Sequence, residues 1–283
     1  STLRAMSLPA GLDRDSLRAL EVHETRVHAR PGREIRDLGD ALMLFDPEDR
    51  EPFWNRVSCI EWPRPAAAFD RRLAETLALF GSLDRIPHVW PPQSFTEPPD
   101  LVERLLGAGF EDLGGGHLMV LANPEPTRRA VERPMPAGVT VERIDSPAKP
   151  DRPRLADEVA LVLTEAFDVE PERRDRMAAD TSLGFDQPDQ HVYLARVDGV
   201  PAAVARRTTF DGASYLSAIG TSPPYRGMGL GRVVTSIATS DSLAARSRWT
   251  YLGVFQDNEV ALQLYRRLGF EVVGPAAPDL VLR

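Results

Sequence analysis

The sequence predicts a mixed α/β protein (an α+β mixed sheet) built as two tandem copies of one fold, and three observations lead there. A glycine-rich loop, Thr221-Ser-Pro-Pro-Tyr-Arg-Gly-Met-Gly-Leu-Gly-Arg232, joins a short strand-like run at 214–219 to a helical run. In that run Leu230, Val233, Val234 and Ile237 keep the i, i+3, i+4, i+7 spacing. Strand-like and helix-like stretches alternate through both halves of the chain. Finally, the chain repeats itself. A helix pattern over 101–110 ends in Gly109-Phe110-Glu111 and is followed by Gly114 and an apolar run at 118–121; the C-terminal half gives Gly269-Phe270-Glu271, Gly274 and a run at 280–282 in the same order.

Composition bounds the reading. A chain of 283 residues exceeds one average domain, and 42% hydrophobic residues supply real cores. No run of eighteen apolar residues exists, and the first thirty residues are rich in Arg, Asp and Glu, so neither a membrane span nor a signal peptide is expected. The single Cys59 cannot form an internal disulfide. Both features point to the cytoplasm. A net charge of −8 argues against generic nucleic-acid binding and favours a cationic small-molecule or peptide acceptor.

The N-terminal half opens on a helical pattern containing His23, Glu24 and His28. A metalloprotease helix needs histidines four apart; five steps put these two about 140° apart around the helix, so a solvated surface is expected and no metal site. Residues 41–45 and 57–62 read as strands, 69–80 as an amphipathic helix, and 86–90 as a strand stopped by Pro91-Pro92. Residues 1–123 form the first expected domain. A linker with four prolines follows at 124–137, and the second domain covers 138–283. Its expected order is a strand at 139–144, helices at 155–167 and 172–179, a hairpin of 191–197 and 201–209 across Asp198-Gly199, and a strand leading into the glycine loop. A helix at 230–245, a strand at 249–255, a helix from Asn258 to Leu268 and two last strands complete it.

A helix that starts inside a glycine-rich loop aims unpaired backbone N–H groups and the positive end of its dipole at whatever lies in front of it, which suits phosphate. Gly227-x-Gly229-x-Gly231 is no dinucleotide fingerprint, because Arg232 stands where the last glycine belongs, and no Gly-Lys-Ser/Thr follows to make a P-loop. The loop resembles the acyl-CoA-binding loop of the GCN5-related N-acetyltransferases (GNAT): Arg/Gln-x-x-Gly-x-Gly/Ala reads here as Arg226-x-x-Gly229-x-Gly231. Asn258-Glu-Val-Ala-Leu-Gln-Leu-Tyr265-Arg-Arg-Leu-Gly269-Phe270-Glu271 resembles the second motif of that family, a helix opened by Asn, carrying Tyr and closed by Leu-Gly-Phe. Residue chemistry alone also allows a glycine turn capping an ordinary helix, with Tyr265 as a core aromatic.

The resemblance implies acetyl-CoA as co-substrate and direct transfer of its acetyl group to a primary amine, with no metal. It implies that the backbone of Ile219, Gly220 and Thr221 pairs with the pantetheine arm. Arg226, Gly227, Met228, Gly229, Leu230, Gly231 and Arg232 would wrap the pyrophosphate, Asn258 would contact the cofactor or a water, and Tyr265 would protonate the departing thiolate. The first copy has Pro63-Arg64-Pro65-Ala66-Ala67-Ala68 in place of the glycine loop and Leu105 at the position of Tyr265, so it reads as a degenerate domain without a cofactor loop. No base is evident: the strand before the loop offers Tyr215 and Ser217, and Glu165, Asp186, His191 or a water chain remain open. Antibiotics, polyamines, protein N-termini and small thiol precursors, as in mycothiol synthases, all remain possible acceptors; a non-catalytic acetyl-CoA-binding or interaction module is the rival class.

Overall fold

A computed structural model of the protein describes residues 11–30, 32–91 and 96–283. The start of the chain and Pro92, both used in the sequence reading, fall outside these residues in whole or in part. The elements run α1 (Arg14–His28), β1 (Glu34–Asp37), β2 (Leu42–Phe45), β3 (Arg56–Ser58), α2 (Ala66–Ser82), β4 (His88–Val89), α3 (Leu101–Gly107), β5 (Glu111–Asp112), β6 (Gly116–Leu121) and α4 (Glu125–Val131). They continue β7 (Val139–Ile144), α5 (Arg152–Phe167), α6 (Arg174–Gly184), β8 (Gln190–Val197), β9 (Val200–Phe210), β10 (Ala213–Thr221), α7 (Leu230–Ala244), β11 (Trp249–Phe255), α8 (Glu259–Leu268), β12 (Phe270–Ala277) and β13 (Leu280–Val281).

Two mixed sheets carry the fold. One has the order β1-β2-β3-β4-β13-β5, the other β12-β6-β11-β10-β9-β8-β7. The first contains the parallel pair β3 with β4 between antiparallel strands, and in the second β10 runs parallel to β11 and antiparallel to β9. The chain forms two compact units. Residues up to Leu118 are joined by Val254–Glu259 and Val272–Arg283 in one unit, and Met119–Gly253 with Val260–Glu271 make the other. The cause is strand placement: β13, from the end of the chain, pairs with β4 and β5 in the first sheet, while β6 stands between β12 and β11 in the second.

In the first unit, α1 is capped by Asp13, whose carboxylate accepts the Ser16 N–H at 2.8 Å. His23 is buried on that helix at 4% exposure, contrary to the solvated surface expected of it. Trp62, Phe69, Phe80, Leu101, Leu105 and Leu280 fill the core together with the sheet. β3 stops at Ser58, short of the expected Trp62, because Cys59 takes a left-handed φ of 55°. In the second unit, α5 covers one face of the sheet with Leu155, Val159, Val162 and Leu163 against Val192, Leu194 and Val204. Alternation then turns His191, Tyr193 and Arg207 to the other face, where α7 packs. The proline-rich stretch expected as a linker contains α4, which packs on α7 and hydrogen-bonds its Thr127 hydroxyl to the Leu268 carbonyl at 2.7 Å.

Candidate functional site

β10 and the start of α7 build the site. β10 pairs with β11 in parallel from Ala213 to Leu216, and among the described residues the register with β11 runs no further. On its other side β10 stays on β9, with a break in register between Ser217 and Gly220. Ala218 sits in that break with φ 49°, the geometry of a β-bulge. The two parallel strands therefore part where the backbone of Ile219, Gly220 and Thr221 presents one free edge, a template for an extended ligand. Gly220 is required there by packing: a Cβ on it would lie 2.7 Å from the Ala166 Cβ, so the bare backbone lets the end of α5 close on the strand.

After β10 the chain makes a short turn at Pro223–Tyr225 and enters α7 through Gly227 and Gly229, with φ 82° and 77°. Gly229 is the N-cap residue, and its carbonyl accepts the first helical bond from the Val233 N–H at 3.1 Å. The N–H groups of Leu230, Gly231 and Arg232 consequently have no acceptor within the helix. Among the described residues nothing approaches within 4 Å of a Cβ built on Gly227 or Gly229, so they leave the space in front of the loop open, as a bulky anion requires. Leu230 is 1% exposed and anchors the helix in the core; Met228, 39% exposed, faces outward.

The two arginines of the loop are tied to carbonyls. Arg226 donates from Nη2 to the Ala166 carbonyl at 3.0 Å and from Nε to the Thr221 carbonyl at 3.3 Å. Arg232 donates from Nη1 to the Ala130 carbonyl at 3.0 Å, at the C-terminal end of α4 where a cation is favoured. Their side chains hold the loop in shape. Nothing in the motif spacing foretold those partners, because Ala166 and Ala130 lie 60 and 102 residues away.

Tyr265 lies on the buried face of α8 with Leu262 and Leu268, 5% exposed, its ring edge-on to Phe270 at 6.2 Å. Burial pushes its hydroxyl well above the ordinary phenol pKa and keeps it neutral. Asn258 is exposed and immediately precedes α8. Among the open candidates for a base, Asp186 is bound by Arg152 at 2.7 Å, which holds its carboxyl below the usual range. His191 is engaged by Asp145 at 2.5 Å, and Tyr215 is buried against Tyr251 at 5.0 Å. Glu165 is exposed on α5, one residue before the carbonyl that holds Arg226.

Residues 155–270 match the model of the Acetyltransferase (GNAT) family. A stretch of 94 residues is 33% identical to a mycothiol acetyltransferase of Nocardiopsis dassonvillei, covering 30% of this chain and 28% of that protein's length. Among solved structures, a GCN5-related N-acetyltransferase from Kribbella flavida is similar with a TM-score of 0.67 at 22% identity, over 98% of this chain and 96% of that one. A tandem GNAT protein from the clavulanic acid biosynthesis pathway gives a TM-score of 0.61 at 15% identity, over 91% and 86%. These two likenesses concern the fold. Residues 155–270 are thus similar to the Acetyltransferase (GNAT) family, and the fold of the chain is similar across its length to those of GNAT proteins.

Proposed function

We propose that this protein is an acetyl-CoA-dependent N-acetyltransferase that moves the acetyl group directly to a primary amine of a small cationic acceptor. The observation that carries the reading is the joining of an open strand edge at Ile219 to Thr221 with an open glycine cradle at a helix N-terminus. An acyl thioester on an extended arm with a pyrophosphate behind it has the shape these two features accept, and acetyl-CoA would supply the activated acetyl group. The N–H groups at the start of α7 would neutralise the pyrophosphate. Backbone N–H groups at the bulge of β10 would face the thioester oxygen and favour the charge that builds there.

Tyr265 would hold the proton destined for the leaving sulfur. Its raised pKa keeps that proton in place at neutral pH, at the cost of making donation uphill toward a thiol whose ordinary pKa lies near 8.5. The ammonium of the acceptor must lose a proton first, and Glu165, exposed on the element that adjoins the loop, is a carboxylate that would take it directly or through water. The rival reading, a module that binds acetyl-CoA without chemistry, shares the cradle and differs in having no use for Tyr265.

An acceptor screen that follows CoA release separates them, and the likeness to a mycothiol acetyltransferase puts amine precursors of that thiol class first. Gly229→Glu, which places a side chain and a negative charge in the anion path, should abolish acetyl-CoA binding in calorimetry. Undiminished binding to that variant would remove the cradle from the proposal.

A further inference from the structure

The second unit contains an open cleft of about 460 Å³ at the C-terminal end of α7, where Arg143, Asp189, His191, Arg207, Thr209 and Asp241 line it together with apolar surface. It is not the cofactor cradle, which lies at the other end of the same helix; the rise of an α-helix puts Gly229 and Ala245 about 24 Å apart. Strand register assembles its floor. His191 stands opposite Arg207, Tyr193 opposite Arg143, and all four point to the face on which α7 lies.

The charges in this cavity are unevenly satisfied. Arg143 meets two carboxylates, Asp145 at 2.7 Å and Asp241 at 2.9 Å. Arg207 is 3% exposed, yet among the described residues its hydrogen bonds run to neutral hydroxyls, from Nε to Tyr193 at 3.0 Å and from Nη1 to Thr209 at 2.5 Å. Asp241 reaches it only through Tyr193, whose hydroxyl donates to that carboxylate at 2.8 Å. A buried guanidinium normally has an anionic partner, since leaving it without one forfeits its hydration for nothing. His191 lies beside it. Asp145 accepts from Nδ1, which leaves the Nε2 edge of the ring for the cavity, and burial lowers the imidazole pKa so that the neutral form is favoured.

We propose that this cavity is a second ligand site that binds a small oxyanion, a carboxylate or a phosphate, on the Arg207 guanidinium with His191 as the neighbouring polar group. The site is separate from acyl transfer and does not depend on that assignment. A bound anion would favour imidazolium, so occupancy is readable at His191 against the fixed background of Arg143, Asp145, Asp189 and Asp241.

The test titrates inorganic phosphate, and separately succinate, into the full chain while the His191 ring is followed by NMR across pH. The expected result is a saturable response with an upward shift of the His191 pKa, and whichever anion gives it identifies the source chemistry. Arg207→Met should weaken that binding roughly tenfold or more, with an unchanged circular dichroism spectrum and urea midpoint as the check that the variant is folded. Should that variant fail to fold, Ala244→Trp, which narrows the cavity from α7 and leaves the arginine in place, is expected to give the same loss. No saturable response to either anion, or an equal response in these variants, overturns the proposal.

Discussion

The hydroxyl of Tyr265 distinguishes a residue that packs from one that reacts. Its ring fills the face of α8 between Leu262 and Leu268 whatever the hydroxyl does. Tyr265→Phe preserves that packing, so stability and acetyl-CoA affinity should be nearly unchanged, whereas a general acid contributes about a hundredfold to the rate. We expect kcat with an accepted amine to fall at least tenfold, roughly 1.4 kcal/mol of transition-state stabilisation. An unchanged kcat, with chemistry rate-limiting, would leave Tyr265 as a core aromatic. Glu21 on α1 gives a second prediction at this scale. Its stem is partly exposed, but its carboxyl end is enclosed, and burial pushes its pKa up to about 7 against the backbone N–H of Cys59. A raised carboxyl pKa means that the folded state binds the proton more tightly than the unfolded one. The penalty is therefore absent below about pH 4.5 and grows as pH rises, reaching about 3 kcal/mol above pH 7. Glu21→Gln should raise stability against urea by about that amount at pH 8 and by less than about 1 kcal/mol at pH 5. An equal gain at both values would show that ionisation is not the cause.

Elements show which glycines answer to backbone conformation and which to packing. Gly227 and Gly229 have left-handed φ and open space, so their demand is conformational, and the surroundings leave room for a ligand. Gly220 has an ordinary φ and no room, because α5 lies on it. Gly220→Ala should push the end of α5 from β10 and destabilise by about 1–3 kcal/mol, measured by chemical denaturation. It should also free the Ala166 carbonyl from Arg226. Wild-type stability in this variant would mean that α5 moves at no cost. The glycine loop and α7 were legible in the sequence because glycine spacing and helical periodicity are local signals. The bulge at Ala218 was not, since an alanine with φ 49° is set by neighbouring strands and leaves no mark in composition.

At the scale of the whole molecule, the two sheets exchange strands along the chain. β13 is held in the first sheet by Asp279, which accepts from Trp90 Nε1 at 3.1 Å, pairs with His88, and receives the Leu113 N–H on its carbonyl at 2.8 Å. Removing residues 279–283 strips both β4 and β5 of a neighbour. Hydrogen exchange of Val89 and Glu111 amides should then accelerate, and slow exchange there in the truncated chain would contradict the pairing as a source of stability. The same topology bears on separated halves: residues 1–123 lack β13, and residues 138–283 lack β6, so neither piece holds a complete sheet.

The sequence by itself determined the element order of the second half, the repeat of Gly-Phe-Glu and its following strand, and the pairing of a glycine loop with a tyrosine helix. All of these rest on short-range patterns that a chain must satisfy within a turn or two. Tertiary structure decided the rest. Only three-dimensional register sends β13 and β6 into their sheets, turns the loop arginines to Ala166 and Ala130, buries His23, and gathers Arg143, His191 and Arg207 around one cavity. Those outcomes join residues tens to hundreds of positions apart, and the free energy that selects among such pairings comes from burial and hydrogen bonding of the assembled chain, to which no local stretch has access.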